Sequence, residues 1–200
     1  MLPPSPPLAA HALPALLDGP LARRRPRGAL LARFVLTPGS PSRGRRARLT
    51  LPFVPEAFEV PRGLTTPAFR LVPLGPEHNE PDHAAWSASI EHVRATPGFR
   101  GNDWPPVEGM SLAANLLDLE RHADDYARRA GFTYTVLAPD HDHVIGCVYI
   151  YPSRDERFEA DVRSWVRADR AELDAALHAA VSRWLAEDWP FAAVDYADRG

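Results

Sequence analysis

Two hundred residues with 45% hydrophobic content suffice for one domain with a sizeable core. The net charge of −3 averages two unlike segments: residues 1–50 carry nine arginines against the single acid Asp18, and residues 51–200 carry fourteen arginines against twenty-five acids. Prolines and arginines interrupt every apolar run before the ~20 residues that cross a bilayer, which excludes a membrane span, and the lone Cys147 has no partner for an internal disulfide, so a reducing cytoplasm is expected. All the basic charge is arginine, a usage that together with abundant proline and alanine points to a GC-rich bacterial genome.

From Met1 to Pro61 the chain is rich in Pro, Arg, Ala, Leu and Ser without sustained periodicity. That composition predicts an extension over 1–61, disordered or arising from a misassigned start, and a folded domain over 62–200. The run Arg23-Arg24-Arg25-Pro26-Arg27 offers phosphate contacts, but no aromatic residues interleave with it, which argues against a nucleic-acid partner. Prolines at 3, 4, 6 and 7 precede the short apolar stretch at 28–31 and Arg33 interrupts it, which argues against a secretion signal.

Phe69-Arg70-Leu71-Val72-Pro73-Leu74 alternates as a half-buried strand does. Pro81 then suits a first helical position, and Trp86, Ile90 and Val93 recur at helical spacing up to Thr96-Pro97-Gly98, predicting one helix. Ser111 caps a longer helix with the apolar stripe Leu112, Leu116, Leu119, Ala123 and Tyr126, closed by Gly131 in a left-handed position. Phe132–Leu137 and Val144–Tyr151 are β-branched and aromatic runs separated by a polar turn, the pattern of an antiparallel hairpin. Over 158–167, Phe158, Ala160, Val162, Ser164 and Val166 fall on one face of a strand, with Glu159, Asp161, Arg163 and Trp165 on the other. A helix with Leu173, Leu177, Val181 and Trp184 follows and stops at Trp189-Pro190, and Phe191–Tyr196 reads as a last short strand.

This order over roughly 65–196 resembles the acyl-CoA N-acyltransferase (GNAT) family, with Val144-Ile145-Gly146-Cys147 similar to the Ile-Gly step of its third strand and Val162–Val166 to its fourth, splayed strand. The resemblance implies an α+β fold of three-layer type: a mixed, mostly antiparallel sheet flanked by helices, here abbreviated at the carboxyl end. It implies acetyl-CoA as co-substrate, held by main chain at Ser164, Trp165 and Val166 with Arg167 and Arg170, and transfer of an acetyl group to the amine of a small molecule or peptide. Glu159 or Asp161 would relay the amine proton. Phe99 and Trp104 in the interhelical loop, with Tyr149 and Tyr151, would form the acceptor pocket.

The corner Val166-Arg167-Ala168-Asp169-Arg170-Ala171-Glu172-Leu173 departs from the family's glycine-rich phosphate loop, with Ala171 and Leu173 where glycines are expected. Asp169 and Glu172 form an Asp-x-x-Glu capping pair that competes for the same amides. The family's later helix, with its acidic tyrosine, is absent here, which leaves that role to Tyr196 or a partner subunit. The alternative reading is therefore a catalytically inactive member that keeps the groove as a ligand-binding or protein-interaction module, with a homodimer covering the exposed face. No metal is assigned: His141-Asp142-His143 lacks further ligands at metal spacing and reads as a solvated turn, and His78, His83 and His92 carry no zinc signature. Cys147, mid-strand with no adjacent base, reads as an inert buried thiol.

Overall fold

The computed structural model describes residues 52–199; the arginine run at 23–27 and the other readings made on residues 1–51 lie outside them. The strands are β1 (Leu64–Thr65), β2 (Arg70–Pro73), β3 (Phe132–Leu137), β4 (Val144–Pro152), β5 (Ala160–Val166) and β6 (Val194–Tyr196), joined in one sheet in chain order. The helices are α1 (Asn79–Ser87), α2 (Ile90–Ala95), α3 (Leu112–Ala127) and α4 (Asp174–Asp188). Neighbouring strands from β1 to β5 are antiparallel. β6 runs parallel to β5, a pairing that requires a crossover, and α4 supplies it.

Side-chain alternation divides the core into two layers. Phe132, Tyr134 and Val136, with Val148, Ile150 and Val162, face α4 residues Leu177, Val181 and Trp184. On the other face Leu137, Cys147 and Trp165 pack with Trp86, Val93 and Leu119 from the first three helices. β4 and β5 approach closely at Gly146, where a Cβ would lie 2.1 Å from the Trp165 carbonyl oxygen.

The single helix predicted from Pro81 to Thr96 is two, broken at Ala88-Ser89, where Ser89 leaves helical geometry at φ −134°. The apolar spacing survives the break, which is why periodicity alone does not reveal it. The break has a use: the Ser89 hydroxyl accepts a hydrogen bond from the Ala168 amide at 3.0 Å.

Of the predicted α3 stripe, Leu119 is buried, Leu116, Ala123 and Tyr126 are half-buried and Leu112 is exposed, and the buried face adds Asn115 and His122. Burial of Asn115 is tolerated because its amide is bonded throughout: it donates to Asn79 Oδ1 at 3.0 Å and Asp82 Oδ2 at 3.1 Å and accepts from Trp86 Nε1 at 2.9 Å. The helix ends in a Schellman motif with Ala130 N donating to Asp125 O and Arg129 N to Tyr126 O. The left-handed residue there is Arg129 (φ 58°) rather than the predicted Gly131. Arg129 is held in place by donating to the carbonyls of Pro55 and Phe58 at 2.7 and 2.8 Å.

Those carbonyls belong to an irregular strap upstream of the strands, so the boundary that composition places at 61 falls inside a packed segment. Val54 is buried in the α4-side core, and Phe53 stacks between Phe132 and Phe191 at 5.7 and 5.0 Å. The Pro61 carbonyl accepts from the Tyr134 hydroxyl at 2.6 Å.

Candidate ligand cleft on the helical face of the sheet

The register sets out rows of side chains on the face under α1–α3. Cys147 lies opposite Trp165, Tyr149 opposite Arg163, and Tyr151 opposite Asp161, which in turn pairs with Asp195 of β6. The first row is core. The second and third open into a cleft of about 860 Å³.

Its wall is aromatic. Phe99, Trp104 and Tyr149 pack on one another with ring centroids 5.6 to 6.3 Å apart. Tyr151 joins them in lining the cleft, so the sequence-predicted acceptor residues are brought together. Of the two acids proposed to relay a proton, Asp161 borders the cleft, with both carboxylate oxygens engaged by Arg163 at 3.1 and 2.7 Å. Glu159 does not border it, and its carboxylate instead accepts from the Ala192 amide.

The α3 side of the cleft adds residues that sequence reasoning passed over: Asp118, Arg121 and His122, with Asp125 next on the same face. Their i, i+3, i+4, i+7 spacing was the available signal, masked by attention to the apolar stripe. His122 Nδ1 stands 2.7 Å from the Tyr151 hydroxyl and 3.0 Å from Thr133 Oγ1, and its Nε2 stands 3.6 Å from Asp118 Oδ2. Tyr151 also donates to Asp125 Oδ2 at 3.2 Å.

Burial alone would raise the Asp118 pKa, but the hydrogen bond and charge of His122, with the charge of Arg121, outweigh it and hold the carboxyl below its usual range. Burial pushes the Tyr151 phenol well up, so it remains a neutral hydrogen-bonding group. Asp118, His122 and Tyr151 therefore form a chain able to accept and hold a proton at the cleft surface.

The corner after β5 faces elsewhere. Trp165 and Val166 have buried side chains, Trp165 donating to the Tyr149 hydroxyl at 3.3 Å. Arg167 N donates to Ile145 O, Ala168 N to Ser89, and Arg170 N to Arg167 O in a short 3-10 stretch over Ala168–Leu173, so α4 begins six residues after the corner. The expected Asp169 cap is not made: its carboxylate is gripped by Arg167 at 2.9 and 2.7 Å, which holds its pKa down. Arg170 is exposed.

Beyond Val162 and Tyr196 the registered pairing of β5 and β6 ends, and the guanidinium of Arg199 fills the gap. It donates to the Ser164 carbonyl and hydroxyl at 3.0 and 2.9 Å, lies over the Tyr196 ring, and pairs with Asp174 at 2.9 Å, with only 7% of its side chain exposed. Ser164 Oγ is 2.5 Å from the Tyr196 hydroxyl, and burial pushes that phenol up to about 12. In this conformation the corner offers an acyl-CoA only part of its main chain: the amides of Arg167, Ala168 and Arg170 are bonded within the protein, the Ser164 carbonyl accepts from Arg199, and Asp169 and Asp174 are each paired with an arginine.

Among the described residues no helix is long and apolar enough to span a membrane, and no cluster of three or more His, Cys, Asp or Glu is arranged to hold a metal. Asp142 of the polar turn pairs with Arg70.

No protein-family profile and no curated protein matches the sequence. Among solved structures, the chain resembles the ribosomal-protein-S5-alanine acetyltransferase of Vibrio fischeri, at 11% identity and TM-score 0.47 over 64% of this chain and 67% of that one. It resembles a microcin self-immunity acetyltransferase solved with acetyl-CoA and AMP at 12% identity and TM-score 0.49, again over 64% and 67%. A protein of Bordetella pertussis described as a GnaT-family acetyltransferase aligns at 17% identity and TM-score 0.42 over 62% of this chain and 72% of that one. The chain itself runs strand, helices, antiparallel β3–β4–β5 meander and parallel β5–α4–β6 crossover, the element order that the sequence led one to expect.

Proposed function

We propose that the protein is an N-acyltransferase whose cleft binds an amine-bearing acceptor. The observation that carries this reading is His122, buried on α3 yet lining the cleft, with Tyr151 and an ionised Asp118 on its two ring nitrogens. An amine must lose a proton to become a nucleophile, and an imidazole backed by a carboxylate is suited to take it.

The chain's own contributions are three. The Phe99–Trp104–Tyr149 wall holds an apolar part of the acceptor and excludes water, the carboxylates of the cleft draw its ammonium group, and His122 receives the proton while Asp118 stabilises the imidazolium that results. The acyl donor, acetyl-CoA, supplies an activated carbonyl carbon. No step is assigned to it at the corner after Val166, which Arg199 and Ser89 close.

That closed corner favours a second reading, a binding module that keeps the cleft without transfer. Acetyl-CoA with 2-phenylethylamine as acceptor separates the two. On the first reading, N-acetyl-2-phenylethylamine and free CoA form in equal amounts, and His122→Gln lowers kcat about 10²-fold or more in protein that still folds and binds the amine. If acetyl-CoA neither raises the melting temperature nor is consumed while the amine still binds, only the module stands.

A further inference from the structure

The charges of the cleft balance pair by pair, with two exceptions. Arg121 is paired with Asp118, Arg163 with Asp161, and Asp155 with Arg157 beside the cleft. Arg154 and Asp195 remain. Both line the cleft, and among the described residues neither side chain has a hydrogen bond or salt bridge to protein, Asp195 having only the longer-range attraction of Arg157 and Arg163. Asp195 sits in the row Tyr151–Asp161–Asp195 across the three strands, whereas Arg154 lies in the turn beyond β4. Along the strands the Tyr149 row of the aromatic wall comes first, the Asp195 row next and the turn that carries Arg154 last.

Two charges of opposite sign without a bonded partner, at one cleft beside an apolar surface, are complementary to a ligand carrying both charges and an apolar group. We infer that the cleft takes a free amino acid with an aromatic or large apolar side chain: its ammonium group at Asp195, its carboxylate at Arg154, its side chain on Phe99, Trp104 and Tyr149. The planar guanidinium of Arg154 suits a carboxylate, to which it can donate two parallel hydrogen bonds. This inference rests on the acceptor reading of the cleft and names the acceptor's class.

Direct calorimetric binding tests it without turnover, using L-phenylalanine, 2-phenylethylamine, which lacks the carboxylate, and 3-phenylpropionate, which lacks the amine. L-Phenylalanine is expected to bind about tenfold or more tighter than either analogue. Arg154→Gln should bring L-phenylalanine down to the level of 2-phenylethylamine while leaving 2-phenylethylamine itself unchanged, and Asp195→Asn should bring it down to the level of 3-phenylpropionate. Equal binding of L-phenylalanine and 2-phenylethylamine, indifference to Arg154→Gln, or no binding by any of the three overturns the inference. Binding in the expected order without acetyl transfer would leave it standing and remove the transferase reading instead.

Discussion

Asp82 is 4% exposed on α1, and its carboxylate accepts from Asn115 of α3, so it ties together two helices that frame the cleft. Burial, only partly offset by the Asn115 hydrogen bond and the nearby His122 and His83, pushes its pKa from 3.8 up to about 6. A carboxyl raised in the folded state contributes stability that is full below 3.8 and is lost as pH rises through about 6. A rise of that size corresponds to about 3 kcal/mol. Asp82→Asn keeps an acceptor for Asn115 without the charge. Urea unfolding at pH 4, 6 and 8 should show the wild type losing stability across that span and the variant losing about 2 kcal/mol less; parallel profiles would contradict the assignment. Sequence gave no sign of this residue, since an acid in the first turn of a helix is common for dipole reasons and nothing in its spacing marks it as buried.

At the level of elements, the Ser89 break joins the α1–α2 pair to the end of β5 through one hydroxyl and one amide. Ser89→Ala retains helix propensity and leaves the Ala168 amide without its acceptor, so a loss of about 1–2 kcal/mol in unfolding free energy is expected; a neutral result by urea titration would mean that water replaces the hydroxyl. The strands were legible because β3 and β4 are β-branched and aromatic runs on either side of a polar turn and β5 alternates. Strand parity put Tyr149 and Tyr151 on one face, whereas Phe99 and Trp104, in a loop, were placed over them only by the family resemblance. The polar half of the cleft was not. Asn115 and His122 are buried because their partners come from α1, β3 and β4, long-range pairings that no local pattern encodes. At the corner after β5 the missing glycines were legible, but not that Ser89 and Arg199 both reach it from distant parts of the chain.

At the scale of the whole molecule, Arg199 determines whether β5 and β6 are separable. Arg199→Ala removes a guanidinium that bonds Ser164 and Asp174, leaves a half-buried carboxylate unpaired, and should cost about 2 kcal/mol. It also vacates the gap. Millimolar acetyl-CoA should then raise the variant's melting temperature by more than the wild type's, and an equal or absent shift in both would show that the gap is no thioester site.

The strap from Phe53 to Val60 rests on Phe132 from β3 and on Trp189 and Phe191 beyond α4. Residues that leave the ribosome near the beginning of the domain thus await a surface completed near its end. Until Trp189 and Phe191 have emerged, the aromatic side chains of the strap and of β3 have only one another and Tyr126 to close against, so this layer is finished late, while the β3–β4 hairpin can pair as it emerges.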